Sequence, residues 1–153
     1  MNTSRSKTLQ ELENNDWGEP TYDSYLVSTV HRLRRKPLEE FTTEDLRIMI
    51  GQNVGLPYLI PLALERLEEN LLAEGDYYPG DLLKSVLLAE RTFWKTRPEL
   101  RAAVETILSR AERLLQQSTT EDYVVTQESL KEGAEIFRAS EEKSKLLVDQ
   151  RNV

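Results

Sequence analysis

One histidine, no cysteine and an acidic excess limit the chemistry open to this 153-residue chain. A catalytic histidine needs a nucleophile and an orienting carboxylate within hydrogen-bond reach. Ser28 lies one helical turn from His31, but it sits mid-helix and no Gly-x-Ser-x-Gly elbow surrounds it. His31 is therefore read as a surface residue beside Arg32, Arg34, Arg35 and Lys36, near a helix C-terminus where cations complement the dipole. The lack of cysteine excludes disulfides, thiolate metal sites and a cysteine nucleophile. A di-iron bundle needs Glu-x-x-His twice, which a single histidine cannot supply. The stretch Glu74-Gly75-Asp76 with Asp81 lacks the alternating oxygen ligands of a calcium loop. Gly51 and Gly55 are not followed by the Lys-Ser or Lys-Thr of a phosphate-cradling loop. A paired-carboxylate hydrolase stays open, because such a pair is defined in space rather than by spacing. No catalytic residue, metal ligand or cofactor is assigned, and the chain is read as a non-enzyme that works by binding.

Two charged stretches are candidates for that binding. Arg32 to Lys36 places four cations in five residues and could touch phosphates, which keeps a helical nucleic-acid-binding or regulatory adaptor module as the alternative. The run has no interleaved aromatic residue, and a solvated helix end, or pairing with Glu39 and Glu40, accounts for it more simply. The stronger candidate is Pro61 to Asp81, where Glu65, Glu68, Glu69, Glu74, Asp76 and Asp81 face only Arg66, a net charge of −5. Glu65, Glu68 and Glu69 share a helical face by their spacing, and crowding them costs a few tenths of a kcal/mol per pair. Tyr77 and Tyr78 sit in the middle of the charged loop, and tyrosine is enriched in protein interfaces. The competing reading is a solvated acidic face with the tyrosines partly in the core.

The elements that must position these residues are helices. No segment alternates over strand length, and Val124-Val125 is the one notable β-branched pair. Helices are predicted near residues 7–13, from Tyr22 or Asp23 to Arg35, and from a Thr42/Asp45 capping box to Gly51. The next is expected from Pro57 to about Asn70, with Pro61 forcing either a kink or a start nearer Ile60. After a Glu74–Gly80 loop, Asp81 is expected to cap a helix through Leu88, and a helical turn over 92–96 follows. Pro98 opens the clearest helix, whose stripe of Leu100, Val104, Ile107, Leu108, Ala111, Leu114 and Leu115 marks it as the spine. A polar break over 118–122 precedes a last helix from Thr126 using Leu130, Ala134 and Phe137, loose beyond Ser140. The expected fold is all-α, a compact single domain (residues 1–153) of about six to eight helices, with residues 1–6 a candidate disordered lead and the packing of 118–153 open.

Composition sets the compartment and the partner. Net charge is −7 and the pI near 4.9, so basic partners are favoured over nucleic acid or an anionic membrane. The opening residues carry no signal-peptide pattern, and the longest near-apolar run, 54–64, contains two prolines and is too short to span a bilayer. A cytoplasmic protein is expected, of unassigned oligomeric state.

Several ordered runs resemble one known family. Asp16-Trp17-Gly18-Glu19-Pro20 and Ser24-Tyr25-Leu26-Val27 resemble the opening of immunity proteins from bacterial contact-dependent growth inhibition systems. So do the continuous run from Glu44-Asp45-Leu46-Arg47 through Gly55-Leu56-Pro57-Tyr58 to Pro61, and Ala73-Glu74-Gly75-Asp76-Tyr77-Tyr78-Pro79-Gly80-Asp81-Leu82-Leu83. The resemblance covers roughly residues 12 to 117 and leaves the tail after Ser118 unmatched. It implies a protein that protects its own cell by binding the toxic C-terminal domain delivered by a neighbour. Toxins of such systems are often nucleases, which tend to be basic because their substrate is polyanionic. The acidic segment is then expected to occupy a basic groove or patch on the toxin. No family motif marks the contact residues, so none is carried over, and the matched Gly, Pro and Trp17 positions are expected to set the fold.

Overall fold

The computed structural model describes residues 3–21, 23–118 and 121–151, with side-chain surroundings given within 5–139. Among the described residues there are eight α-helices, and the one β-type contact is an isolated bridge between Glu74 and Pro79. Capping residues set most of the boundaries. Thr8 and Glu11 form a capping box at the start of α1 (Leu9–Glu13), which Asn14 ends in the left-handed region at φ 49°. The helix α2 (Tyr25–Arg34) starts later than predicted because the Ser24 hydroxyl accepts from the backbone N–H of Val27 and fixes the first turn there. The Tyr22 alternative lies outside the described residues. The box expected at Thr42 and Asp45 opens α3 (Thr43–Gly51), each side chain bonding the other's backbone N–H at 3.0 and 3.1 Å.

α4 (Leu56–Glu69) begins at Leu56 and not near Ile60. Pro57 occupies the first turn, where its missing N–H costs nothing, and Pro61 removes a single bond in a helix otherwise held by its buried face. Gly55 makes the entry possible: its φ is +66°, and a Cβ there would sit 2.7 and 2.8 Å from the methyl carbons of Leu9.

α5 (Asp81–Leu87), α6 (Arg91–Thr96), α7 (Pro98–Gln116) and α8 (Val124–Arg151) complete the array. Pro98 opens α7 as the sequence indicates, and Val104, Ile107, Leu108, Ala111 and Leu115 of the predicted stripe are buried, whereas Leu100 is half-buried and Leu114 is 43% exposed. The centre of the array is nevertheless α5, which packs against α3, α4, α7 and α8. The reason lies in its pattern. Leu82, Leu83, Val86 and Leu87 form its apolar face and are at most 1% exposed. Asp81 is buried and Lys84 and Ser85 are half-buried, so no residue of α5 is exposed, whereas α7 buries only a stripe.

The Val124-Val125 pair belongs to α8, which starts two residues before the predicted Thr126 and continues as helix past Ser140 to Arg151. Its first half is docked: Leu130, Ala134 and Phe137 are buried, and Phe137 meets Trp94 edge-on at 5.5 Å. Arg138 adds a fork to Glu105 and Glu112 of α7, with N–O distances of 2.8 and 2.7 Å, and the two carboxylates hold its guanidinium above its already high ordinary pKa. No helix among the described residues is long and apolar enough to cross a membrane.

Candidate functional site

The acidic loop between α4 and α5 is held from three sides. At its base the Asn70 side chain accepts from Leu72 N–H at 3.1 Å, and Gly80 N–H returns to the Leu72 carbonyl at 3.1 Å. From α5, the Asp81 carboxylate accepts the backbone N–H groups of Gly75 and Tyr77 at 2.7 and 3.1 Å. Asp81 is 3% exposed, and the cap position belongs to Gly80, at φ +91°, so the expected helix cap is in fact the anchor of the loop. From α3, Glu44 accepts Asp76 N–H at 3.0 Å while gripping Arg47 through two bonds of 2.6 Å. The Arg47 guanidinium lies 4.4 Å from the centre of the Tyr77 ring, and its Nε is 3.9 Å from Asp81 Oδ2. From α8, the Thr126 hydroxyl donates to the Pro79 carbonyl at 2.7 Å, and the Tyr78 and Ser129 hydroxyls share a 2.5 Å hydrogen bond.

The loop threads this scaffold because residue 75 is glycine. A Cβ there would collide with Glu44 Oε1 and approach Asp81 Oδ2 to 3.2 Å. What reaches solvent is Glu74, Asp76 and Tyr77, the last 70% exposed. Tyr78 is half-buried and turned toward α8. An exposed aromatic ring backed by a fixed cation and flanked by two carboxylates suits protein recognition, because little side-chain freedom remains to be lost on binding.

The α4 glutamates go elsewhere. Glu65 pairs with Arg5 near the N-terminus, and Glu68 pairs with Arg110 of α7 at 2.6 Å. Glu69 is exposed and borders, with Glu65 and Arg5, a 240 Å³ hollow floored by Phe41 and Leu46. Arg66 turns inward to the Phe41 carbonyl and to the Thr43 hydroxyl. The −5 counted along the chain is thus divided in space: Glu65 and Glu68, though exposed, meet cations from distant elements, Asp81 is buried, and Glu69, Glu74 and Asp76 face solvent.

The basic run is largely spent on the fold. Arg34, 2% exposed, binds Glu13 and the Asn15 carbonyl while its guanidinium carbon lies 4.2 Å from the centre of the Trp17 ring. Arg35 reaches Glu19 at 3.1 Å and the Gly18 carbonyl at 3.0 Å, and Lys36 pairs with Asp45 at 2.6 Å. These partners are not the predicted Glu39 and Glu40; the acids among them are Glu13 at the end of α1, Glu19, and Asp45 of the α3 capping box. His31 lies edge-on to Trp17 at 5.4 Å, with Nδ1 3.2 Å from the Gly18 carbonyl. The cations therefore pin residues 13–19 to α2, leaving Arg32 exposed.

Two carboxylates carry a pH consequence. The Arg47 fork holds Glu44 below its ordinary value of 4.5, outweighing a burial that pushes the other way, with help from the Asp76 N–H. For Asp45, burial acts to raise it, but the Lys36 ammonium and the Thr42 N–H together hold it below its ordinary 3.8. Both groups bind protons more weakly folded than unfolded, so their contribution is complete above these ordinary values and is lost as pH falls through the depressed ones. Urea midpoints are expected to be level through mildly acidic pH and to fall below about pH 4.5, with a shallower fall in Glu44→Gln. An equally steep fall in that variant would remove Glu44 from the account.

Of the residues that build the site, sequence reasoning missed Glu44, Arg47, Thr126 and Ser129. Glu44 and Arg47 carried a signal, an acid three residues before a base on a helix. Thr126 and Ser129 carried none, because they meet the loop across 47 and 51 residues of chain.

A family model described as CDI immunity proteins matches residues 11–104. No curated protein and no solved structure matches the chain.

Proposed function

Because the chain belongs to the CDI immunity proteins, the contact-dependent growth inhibition family matched over more than half its length, we propose that it binds a cognate toxin domain through the Glu74–Tyr78 loop and silences it by occupancy. Membership of that family implies neutralisation of a cognate toxin. The finer reading rests on one observation: Glu74, Asp76 and Tyr77 stand exposed on a loop fixed by α3, α5 and α8. An acidic, pre-ordered surface fits a basic partner, and a nuclease groove is basic because it must hold a polyanion. Charge complementarity would also speed capture, which matters where a few toxin molecules suffice to kill. The protein would act in the cytoplasm, where a delivered nuclease finds its substrate, and would need no cofactor and no catalysis of its own.

The reading is tested in cells that produce the toxin domain encoded immediately upstream. Co-production of this chain is expected to restore growth, and to fail to do so against an unrelated toxin domain. Continued killing in the presence of folded, abundant protein would end the proposal.

A further inference from the structure

We propose that the first turn of α8 extends this surface, and that Val124, Val125 and Glu128 help decide which toxin domain the protein accepts. The inference rests on the toxin-binding reading and adds residues to it. The start of α8 is joined to the loop: Thr126, fully buried, donates to the Pro79 carbonyl at 2.7 Å, Tyr78 meets Ser129 at 2.5 Å, and the Lys84 ammonium donates to the Ser129 carbonyl at 2.9 Å. With Thr126 and Ser129 turned inward, their neighbours Val124 and Val125 are 50% and 58% exposed, and Glu128 is exposed.

Two adjacent β-branched apolar residues at a solvent-facing helix start serve neither helix propensity nor the core. Exposed Glu121 and Asp122 precede them in a 3-10 turn (Glu121–Tyr123) and Glu128 follows, which gives an apolar centre with an acidic border. That is the anatomy of a protein interface, and the border selects a basic face carrying an apolar hollow. The position in the chain indicates the role. The loop lies inside the family match, which ends at residue 104, while α8 lies beyond it. A surface outside the part that the family model describes is where discrimination between toxins can be added.

Titration calorimetry of the full chain against its upstream-encoded toxin domain, and against the toxin domain of another pair in the family, tests this. The variants are Val124→Ser with Val125→Ser, and separately Glu128→Lys. Serine is accepted at a helix start, and the lysine exchange leaves the apolar pair intact, so the fold is retained. Each is expected to weaken cognate binding about tenfold or more and to narrow the gap between the two toxins, with the thermal midpoint unchanged. Tight binding by the unmodified chain with both variants within about twofold of it would overturn the extension alone. No binding by the unmodified chain would overturn the toxin-binding reading and the extension with it.

Discussion

Replacing Glu74 and Asp76 by lysine together with Tyr77→Ala is expected to weaken toxin binding about 1,000-fold, or ~4 kcal/mol, and to abolish protection. The two carboxylates would turn from attractive to repulsive toward a basic face, which slows encounter as well as weakening the complex. Tyr77 is the aromatic member, and its seat on Arg47 at 4.4 Å makes it a rigid one. The fold should survive, because the hydrogen bonds that hold the loop use the backbone N–H groups of residues 75, 76 and 77, and of the three side chains exchanged only Tyr77 gives up a packing contact, with Arg47. Helical circular dichroism is therefore expected to stay put, and stability to fall by no more than the Arg47–Tyr77 contact supplies, about 0.5–1 kcal/mol. A matched control reverses Glu65 and Glu68 on α4. Those side chains are spent on Arg5 and Arg110, so their loss removes two exposed ion pairs worth about 0.2–1 kcal/mol each in stability and leaves protection standing. Protection lost in the control and kept in the loop variant would move the binding surface to α4.

Asp81→Ala is expected to destabilise the fold by about 2–4 kcal/mol. Asp81 is 3% exposed, accepts two backbone N–H groups and lies 3.9 Å from the Arg47 guanidinium. Removing it leaves two part-buried donors without an acceptor and takes a nearby charge from a cation still held by Glu44. The damage should run in sequence: the 75–77 turn opens first, hydrogen exchange at Gly75 and Tyr77 rises, and the urea midpoint falls. Asp81→Asn keeps the shape and one acceptor oxygen, and is expected to fall between alanine and the parent. An alanine variant as stable as the parent, with Gly75 and Tyr77 still protected, would contradict the anchoring role.

How much of this could be read from the chain beforehand follows from where each signal resides. Helices announced by local chemistry were legible: the Thr42/Asp45 box, Pro98 at the head of α7, and the apolar stripe behind it. These depend on residues three or four apart, which a sequence displays directly. The identity of the central helix was harder to see, because α5 is only seven residues long and its Asp81, Lys84 and Ser85 look like a solvent face, whereas in the fold all three are buried or half-buried. Asp81 was misassigned for a related reason. An aspartate before an apolar run reads as a cap, and only the folded path of residues 74–80 reveals that its carboxylate turns back to the loop instead.

The site shows the same division. The acidic excess and the paired tyrosines were visible as composition, and the exposed tip Glu74, Asp76, Tyr77 lies within the candidate segment. What composition could not separate was a charge facing solvent from one already matched. Arg5 and Arg110 reach Glu65 and Glu68 across 60 and 42 residues, and those matches exist only in three dimensions. The basic run taught the converse lesson. Four cations in five residues resembled a phosphate contact, yet Arg34, Arg35 and Lys36 tie Glu13, Gly18, Glu19 and Asp45 to the end of α2.

The most direct measurement of the central claim is a titration of the purified toxin domain encoded immediately upstream, following its activity as this protein is added. Complete inhibition at about one equivalent by the parent, with no inhibition by the Glu74→Lys/Asp76→Lys/Tyr77→Ala variant at the same ratio, is the predicted result. An active toxin at many equivalents of folded parent, or equal inhibition by parent and variant, would contradict it.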